Sequence, residues 1–217
     1  QSDGQDGSFY GIYAQRYTST SAMHGSEFRV NTDTIGYQES PAVAGLSDGG
    51  FVITWLYERN DLGIYVQRYT SGSDAYGLQF QVNTDKNDQR IYAAITGLSD
   101  GGFVITWQSS GQDGSENGIY AQRYTSTSTK YGSEFRVNTY LTSDQYGPAV
   151  IGLSDGGFVI TWLSLGQDGS LSGVYAQRYT SNGATYGLEF RVNTYTNNEQ
   201  QFSVLAALSD GGFVVTW

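Results

Sequence analysis

The sequence has no cysteine and a single histidine among 217 residues. Without thiols there are no disulfide staples, no thiolate zinc sites and no cysteine nucleophile, and redox chemistry leaves the compartment open. His24, the single histidine, is expected in a loop opposite most of the acidic residues, which leaves no obvious Ser/His/Asp or histidine-metal constellation, so the chain reads as not an enzyme. Proline occurs twice, methionine once, and charged residues make up only 15%. That scarcity of charge does not fit a helical bundle or coiled coil. Basic residues are few, 11 against 21 acidic ones, for a net charge of -10 and an isoelectric point near 4.3. A ligand for phosphates needs an excess of Lys and Arg to displace counterions, so nucleic acid is not expected as a partner. No apolar run reaches bilayer length and no signal peptide stands at the start, so no membrane insertion is expected; a chain opening on Gln1 reads as a processed form or an excerpt.

What is present is Gly 29, Tyr 18, aromatics at 15% and hydrophobic residues at 38%. That load can bury enough surface to offset chain entropy, and its character is all-β. The string LSDGGFVITW ends at Trp55, Trp107 and Trp162, and LSDGGFVVTW ends at Trp217. One domain of four repeat units follows, 1–55, 56–107, 108–162 and 163–217, with no linker between them. Each unit runs through a Gly-rich loop, IYAQRY, a Ser/Thr loop, EFRVNT, a polar loop, PAVAGL, then SDGG and FVITW. Period-two alternation marks each apolar piece as a strand, and paired glycines mark a tight hairpin.

Four short antiparallel strands in about 54 residues is the size of a propeller blade. With PAVAGL as strand a, FVITW as b, IYAQRY as c and EFRVNT as d, the chain opens on c and d and finishes on a and b. The expected fold is therefore a four-bladed β-propeller with one blade closed by the N- and C-terminal strands; a β-solenoid array or half of an eight-bladed dimer is the alternative.

The string SDGGFVITWQSSGQDGSENGIYAQRYTS followed by GSEFRVNT resembles a tandem repeat of very large secreted bacterial proteins, adhesin-like and associated with calcium-binding repeats. The resemblance spans all four units and implies an extracellular, adhesive or matrix setting and propeller-like folding. A weaker similarity, to the Asp box of sialidase-type propellers, rests on Ser47, Asp48, Gly50, Thr54 and Trp55 in that order with altered spacing.

By this strand assignment the b–c and d–a connections share one end of the blades. They hold thirteen acidic residues against Arg59, Lys86 and Arg90, which is the whole net charge of -10. Charges that recur in every unit, such as Arg16, Arg68, Arg123 and Arg178 or Asp48, Asp100, Asp155 and Asp210, read as scaffold. Glu27 and Arg29 share a strand face, and unit two replaces both with Gln79 and Gln81, which suggests an ion pair or shared network.

Trp55, Trp107, Trp162 and Trp217 end strand b beside the acidic loops, where an indole flanked by polar groups suits stacking on a sugar; packing between blades is the alternative. Asp6, Asp113 and Asp168 lie in the repeated Gly-Gln-Asp-Gly-Ser loop and are candidates for sugar hydroxyls. Asp3 with Asp6 is the nearest approach to a calcium site, though an Asx-type turn explains such a loop without metal, and no cofactor is required. The expected function is a non-catalytic extracellular recognition module, lectin- or adhesin-like, binding glycans through the acidic face. The alternative is a structural, self-assembling subunit of an extracellular filament or matrix.

Overall fold

The computed structural model describes every residue except 6, 8, 59–61, 85–89, 113 and 115, and describes Arg90 and Ile91 by their backbone alone. It is all-β. A short ladder of β1 (Ser2–Asp3) and β2 (Tyr10–Gly11) precedes a two-stranded sheet of β3 (Tyr13–Tyr17) and β4 (Met23–Arg29). The first complete blade holds β5 (Tyr37–Gly45), β6 (Phe51–Glu58), β7 (Leu62–Tyr69) and β8 (Ala75–Gln81). The second holds β9 (Arg90–Gly97), β10 (Phe103–Ser110), β11 (Asn117–Tyr124) and β12 (Lys130–Arg136). The third holds β13 (Gln145–Gly152), β14 (Phe158–Leu165), β15 (Ser172–Tyr179) and β16 (Phe190–Arg191). A final hairpin of β17 (Val204–Ala207) and β18 (Phe213–Thr216) ends the chain.

Each complete sheet runs a-b-c-d and antiparallel, as the repeat order predicts. The a strands pack serially, β5 beside β9, β9 beside β13 and β13 beside β17, so they form the inner edge. One expected feature is not formed. Strand β3 pairs with β4 and β18 pairs with β17, in separate sheets, so the terminal strands do not join into a closing blade. Each half is left without the strand that would hydrogen-bond to its open edge.

The core lies between blades. Phe103, Ile105 and Trp107 of β10 alternate on one face and press on Val52, Ile64 and Val66 of the preceding blade. Phe158, Ile160 and Trp162 repeat the arrangement one blade later, against Val104, Ile119 and Ala121. Period-two alternation thus gives the b strand of each complete blade two buried faces, one on each neighbouring blade.

The a–b turn shows why the word SDGG is repeated. Gly49 holds φ at +81° while Asp48 Oδ1 accepts the Gly50 amide at 2.9 Å. A side chain on Gly50 would place its Cβ 2.5 Å from the Tyr69 carbonyl oxygen. The two glycines therefore serve different ends, positive φ at the first and close backbone approach at the second. The recurring Arg of strand c caps the same turn. Arg178 Nη2 meets Asp155 Oδ2 at 2.6 Å, Arg68 and Arg123 meet Asp48 and Asp100 likewise, and the guanidinium groups lie 4.0 to 4.2 Å from the Tyr76, Tyr131 and Tyr186 ring centres. These are scaffold charges, as their repetition suggests.

Candidate functional site

At the other end of the blades the d–a connections are fastened by an Asn-Gln pair seven residues apart. Asn138 Oδ1 accepts the Ile119 amide at 2.8 Å, and its Nδ2 donates to the Tyr140 carbonyl at 2.7 Å and to Gln145 Oε1 at 2.8 Å. Asn31 with Gln38 and Asn193 with Gln200 repeat the bonding. All six side chains are buried, so each amide exchanges water for fixed partners and holds its loop to the start of strand c. The sequence reading passed over these residues, although their spacing recurs three times.

The second fastening joins neighbouring blades. Glu189 Oε2 accepts from the Thr139 amide at 2.7 Å and its hydroxyl at 3.0 Å, while Oε1 accepts Gln167 Nε2 at 2.7 Å. Glu134 does the same for Thr84 and Gln112. Glu27 takes the Gln5 amide at 2.6 Å, whereas Arg29 Nε donates to the Asn31 carbonyl at 3.0 Å. The Glu and Arg of strand d thus hold different partners, Gln5 and the Asn31 carbonyl, rather than each other. His24 stands in β4 opposite Arg16, not in a loop.

Trp55, Trp107 and Trp162 are buried between blades, which is the packing alternative, and their indole faces are closed to a sugar. Trp217 alone of the four is exposed. Asp6 and Asp113 lie outside the described residues. Asp168 is half-buried and its Oδ1 accepts the Ser170 amide at 3.1 Å, an Asx-type turn, while its Oδ2 is buried without a hydrogen-bond partner among the described residues. Asp3 is exposed in β1, and among the described residues no three acidic, histidine or cysteine side chains are grouped to hold a metal ion.

Other rings occupy the acidic end. Phe9 stacks on Tyr37 with centroids 4.6 Å apart, and Tyr10 tilts against Tyr37 at 6.0 Å. Phe9 and Tyr37 are both exposed. Beside them Tyr57 donates its hydroxyl to Asp33 Oδ2 at 2.5 Å. The inner strands begin with an irregularity at which Ser40, Tyr92, Gly147 and Phe202 have φ of 52°, 61°, 61° and 58°. Ladder register shifts there in the three complete blades. A bulge re-aims the bulged side chain, and Tyr92 and Phe202 stand exposed. A left-handed backbone costs roughly 1 kcal/mol at a non-glycine residue, which the neighbouring ladder has to offset.

No family model and no curated protein matches the sequence. Solved structures do. An endo-arabinase from Bacteroides thetaiotaomicron superposes with a TM-score of 0.54 at 15% identity, over 89% of this chain and 75% of that one. A thermostable family-43 glycoside hydrolase gives 0.51 at 14%, over 82% and 64%. A Hadza microbial sialidase gives 0.50 at 11%, over 67% of this chain, which spans about a third (35%) of the sialidase. These likenesses establish the fold, repeated four-stranded blades of β-propeller type, shared with proteins that act on carbohydrates.

Proposed function

We propose that the chain is a non-catalytic, extracellular glycan-recognition module of lectin- or adhesin-like character. The observation that supports this reading is the exposed stack of Phe9 on Tyr37, with Tyr10 against it, at the end of the blades that carries the excess acidic residues. Aromatic faces attract the C–H faces of sugars, and carboxylates and amides beside them accept hydroxyl protons. Glu39 supplies such an acceptor at the same end.

Binding to a glycan array, with the chain displayed multivalently and with or without chelator, tests it. Phe9→Ala with Tyr37→Ala is expected to lower affinity about tenfold, the loss of roughly 1.4 kcal/mol of stacking, and to leave the circular dichroism spectrum unchanged because both rings are exposed. Absence of binding to any sugar, or binding that the double variant leaves intact, refutes the reading.

A further inference from the structure

We propose that Asn182, at the tip of the connection between β15 and β16, is a self-modification site. Its turn activates conversion of the asparagine into aspartate and isoaspartate, while the fold keeps the second Asn-Gly sequence, Asn117-Gly118, intact. The site lies at the end of the blades opposite the acidic one, and the inference is independent of the sugar-binding reading.

The chemistry needs no partner but water. The backbone nitrogen of the following residue, once it has lost its proton to solvent, attacks the asparagine Cγ. The new N–Cγ bond forms as the Cγ–Nδ2 bond breaks, and Nδ2 leaves as ammonia with a proton returned by solvent. Water then opens the cyclic imide. Attack at Cγ gives aspartate, and attack at the main-chain carbonyl carbon gives isoaspartate, in which the chain runs through the former side chain. A following glycine favours the step, because it has no side chain to obstruct the approach and its backbone rotates freely. The pair Asn-Gly occurs in the sequence at 117–118 and 182–183 only.

The two stand in opposite settings. Asn182 is exposed in a tight turn in which the Gly183 amide donates to the Thr180 carbonyl at 2.9 Å. Gly183 holds φ at +81°, with open space where a Cβ would stand. Asn182 is held by its oxygen, which accepts from Thr180 Oγ1 at 2.5 Å and from the Ala184 amide at 3.2 Å. Two donors on Oδ1 draw electron density from Cγ and stabilise the negative charge that the oxygen gains when Cγ is attacked. The departing Nδ2 has no hydrogen-bond partner among the described residues. What has to open first is one backbone bond at a hairpin tip, where opening is local. Exposure there is not peculiar to this blade, since Gly72 and Thr127, at the same place in the two preceding complete blades, are exposed as well.

Asn117 is fixed where Asn182 is free. It opens β11, pairing with Ser110 while Gly118 pairs with Ser109, in a ladder continuous to Tyr124. Its amide and its Nδ2 both donate to Asp144 Oδ1, at 3.2 and 2.6 Å, and Gly118 is buried. The group that has to leave is thus tied to a carboxylate, and rotating the Gly118 nitrogen onto Cγ would break the ladder.

Trypsin releases residues 179–191 and 91–123, each with a single asparagine, so mass spectrometry reads the two sites separately. In the folded chain at mildly alkaline pH, Asn182 is expected to give paired aspartate and isoaspartate peaks at least about tenfold faster than Asn117. In urea the two should react at similar rates. Gly183→Ser installs the residue that Ser21, Ser73 and Ser128 carry at the same place with positive φ, and should slow Asn182 at least about tenfold with an unchanged circular dichroism spectrum. Thr180→Val removes the hydroxyl from Oδ1 and should slow it at least about threefold. Equal rates at the two sites in the folded chain overturn the proposal. So does an Asn182 that stays intact while both sites react in urea, or a rate unchanged by Thr180→Val.

Discussion

Val104 and Val214 occupy the same place in the repeated word, yet Val104 is wholly buried and Val214 is 44% exposed. Replacing each by alanine removes the same two methyl groups from the same local sequence, so the difference measures packing alone. At Val104 the loss is about 1.6 kcal/mol of transfer at roughly 0.8 kcal/mol per group, and the cavity left between blades raises it to about 2–3 kcal/mol. At Val214 roughly half of the transfer term applies and solvent fills the space, so the loss is below about 1 kcal/mol. For a chain of this length 1 kcal/mol moves the melting temperature by about 2–4 °C, which predicts a fall of about 4–12 °C for Val104→Ala and at most about 4 °C for Val214→Ala. Urea unfolding followed by tryptophan fluorescence, at a concentration where the chain sediments as a monomer, reads both. Equal losses at the two sites would refute the reasoning, since they would mean that the last hairpin is already packed inside its own chain.

Other perturbations follow from the same contacts. Gly102→Ala brings a methyl to 2.3 Å from the Tyr124 carbonyl and should cost at least about 2 kcal/mol, read as a lowered urea midpoint. Asp100→Asn keeps the turn acceptor for the Gly102 amide, at 2.9 Å, but leaves the buried Arg123 guanidinium on Tyr131 without its counter-charge. Because the carboxylate is half-exposed the expected loss is about 1–2 kcal/mol, whereas Asp210→Asn in the monomer should lose less than about 0.5 kcal/mol. Burial raises the Tyr69 hydroxyl to about 12 and pushes Tyr124 and Tyr179 up further still. The folded state therefore holds these protons where the unfolded chain, with tyrosine near its ordinary 10, has released them. Their contribution is intact below about pH 10 and is lost as pH rises towards 12 and beyond, so thermal stability should fall steeply over that range and less steeply in Tyr69→Phe.

Blade architecture was legible because each strand alternates on a period of two and each turn is written in glycine, so a local pattern repeated four times leaves one consistent assignment. Closure was not legible. Whether β3 meets β18 depends on the rotation between successive blades, a property of inter-blade packing that no strand's own sequence states. The tryptophans show the same limit. Alternation placed Trp55, Trp107 and Trp162 at strand ends near the acidic loops, but exposure is decided by the next blade, which covers them. Trp217 follows the same ten-residue word but for Val215 in place of Ile, and has the opposite exposure, because no neighbouring half-blade lies over it.

The acidic end was countable from topology alone, since an antiparallel meander fixes which connections share an end. Its fastenings were not. Asn31, Asn138 and Asn193 look like ordinary turn residues until the Gln seven positions later is seen to close on each, a pairing formed across a loop whose path the sequence does not give. The distinction bears on function. Features repeated in every complete blade, the Arg-Asp-Tyr stack and the c-strand amide held by Asn, belong to the scaffold, and a ligand site has to be sought where the units differ. Phe9, Tyr37, Tyr92 and Phe202 are such places: the repeat equivalents of Phe9 are Glu116 and Leu171, and those of Phe202 are Ser40 and Gly147. A site built from them would be singular on a fourfold frame, so a binding stoichiometry of one glycan per chain would favour these rings, and three or four would return the search to the repeated loops around Asp168.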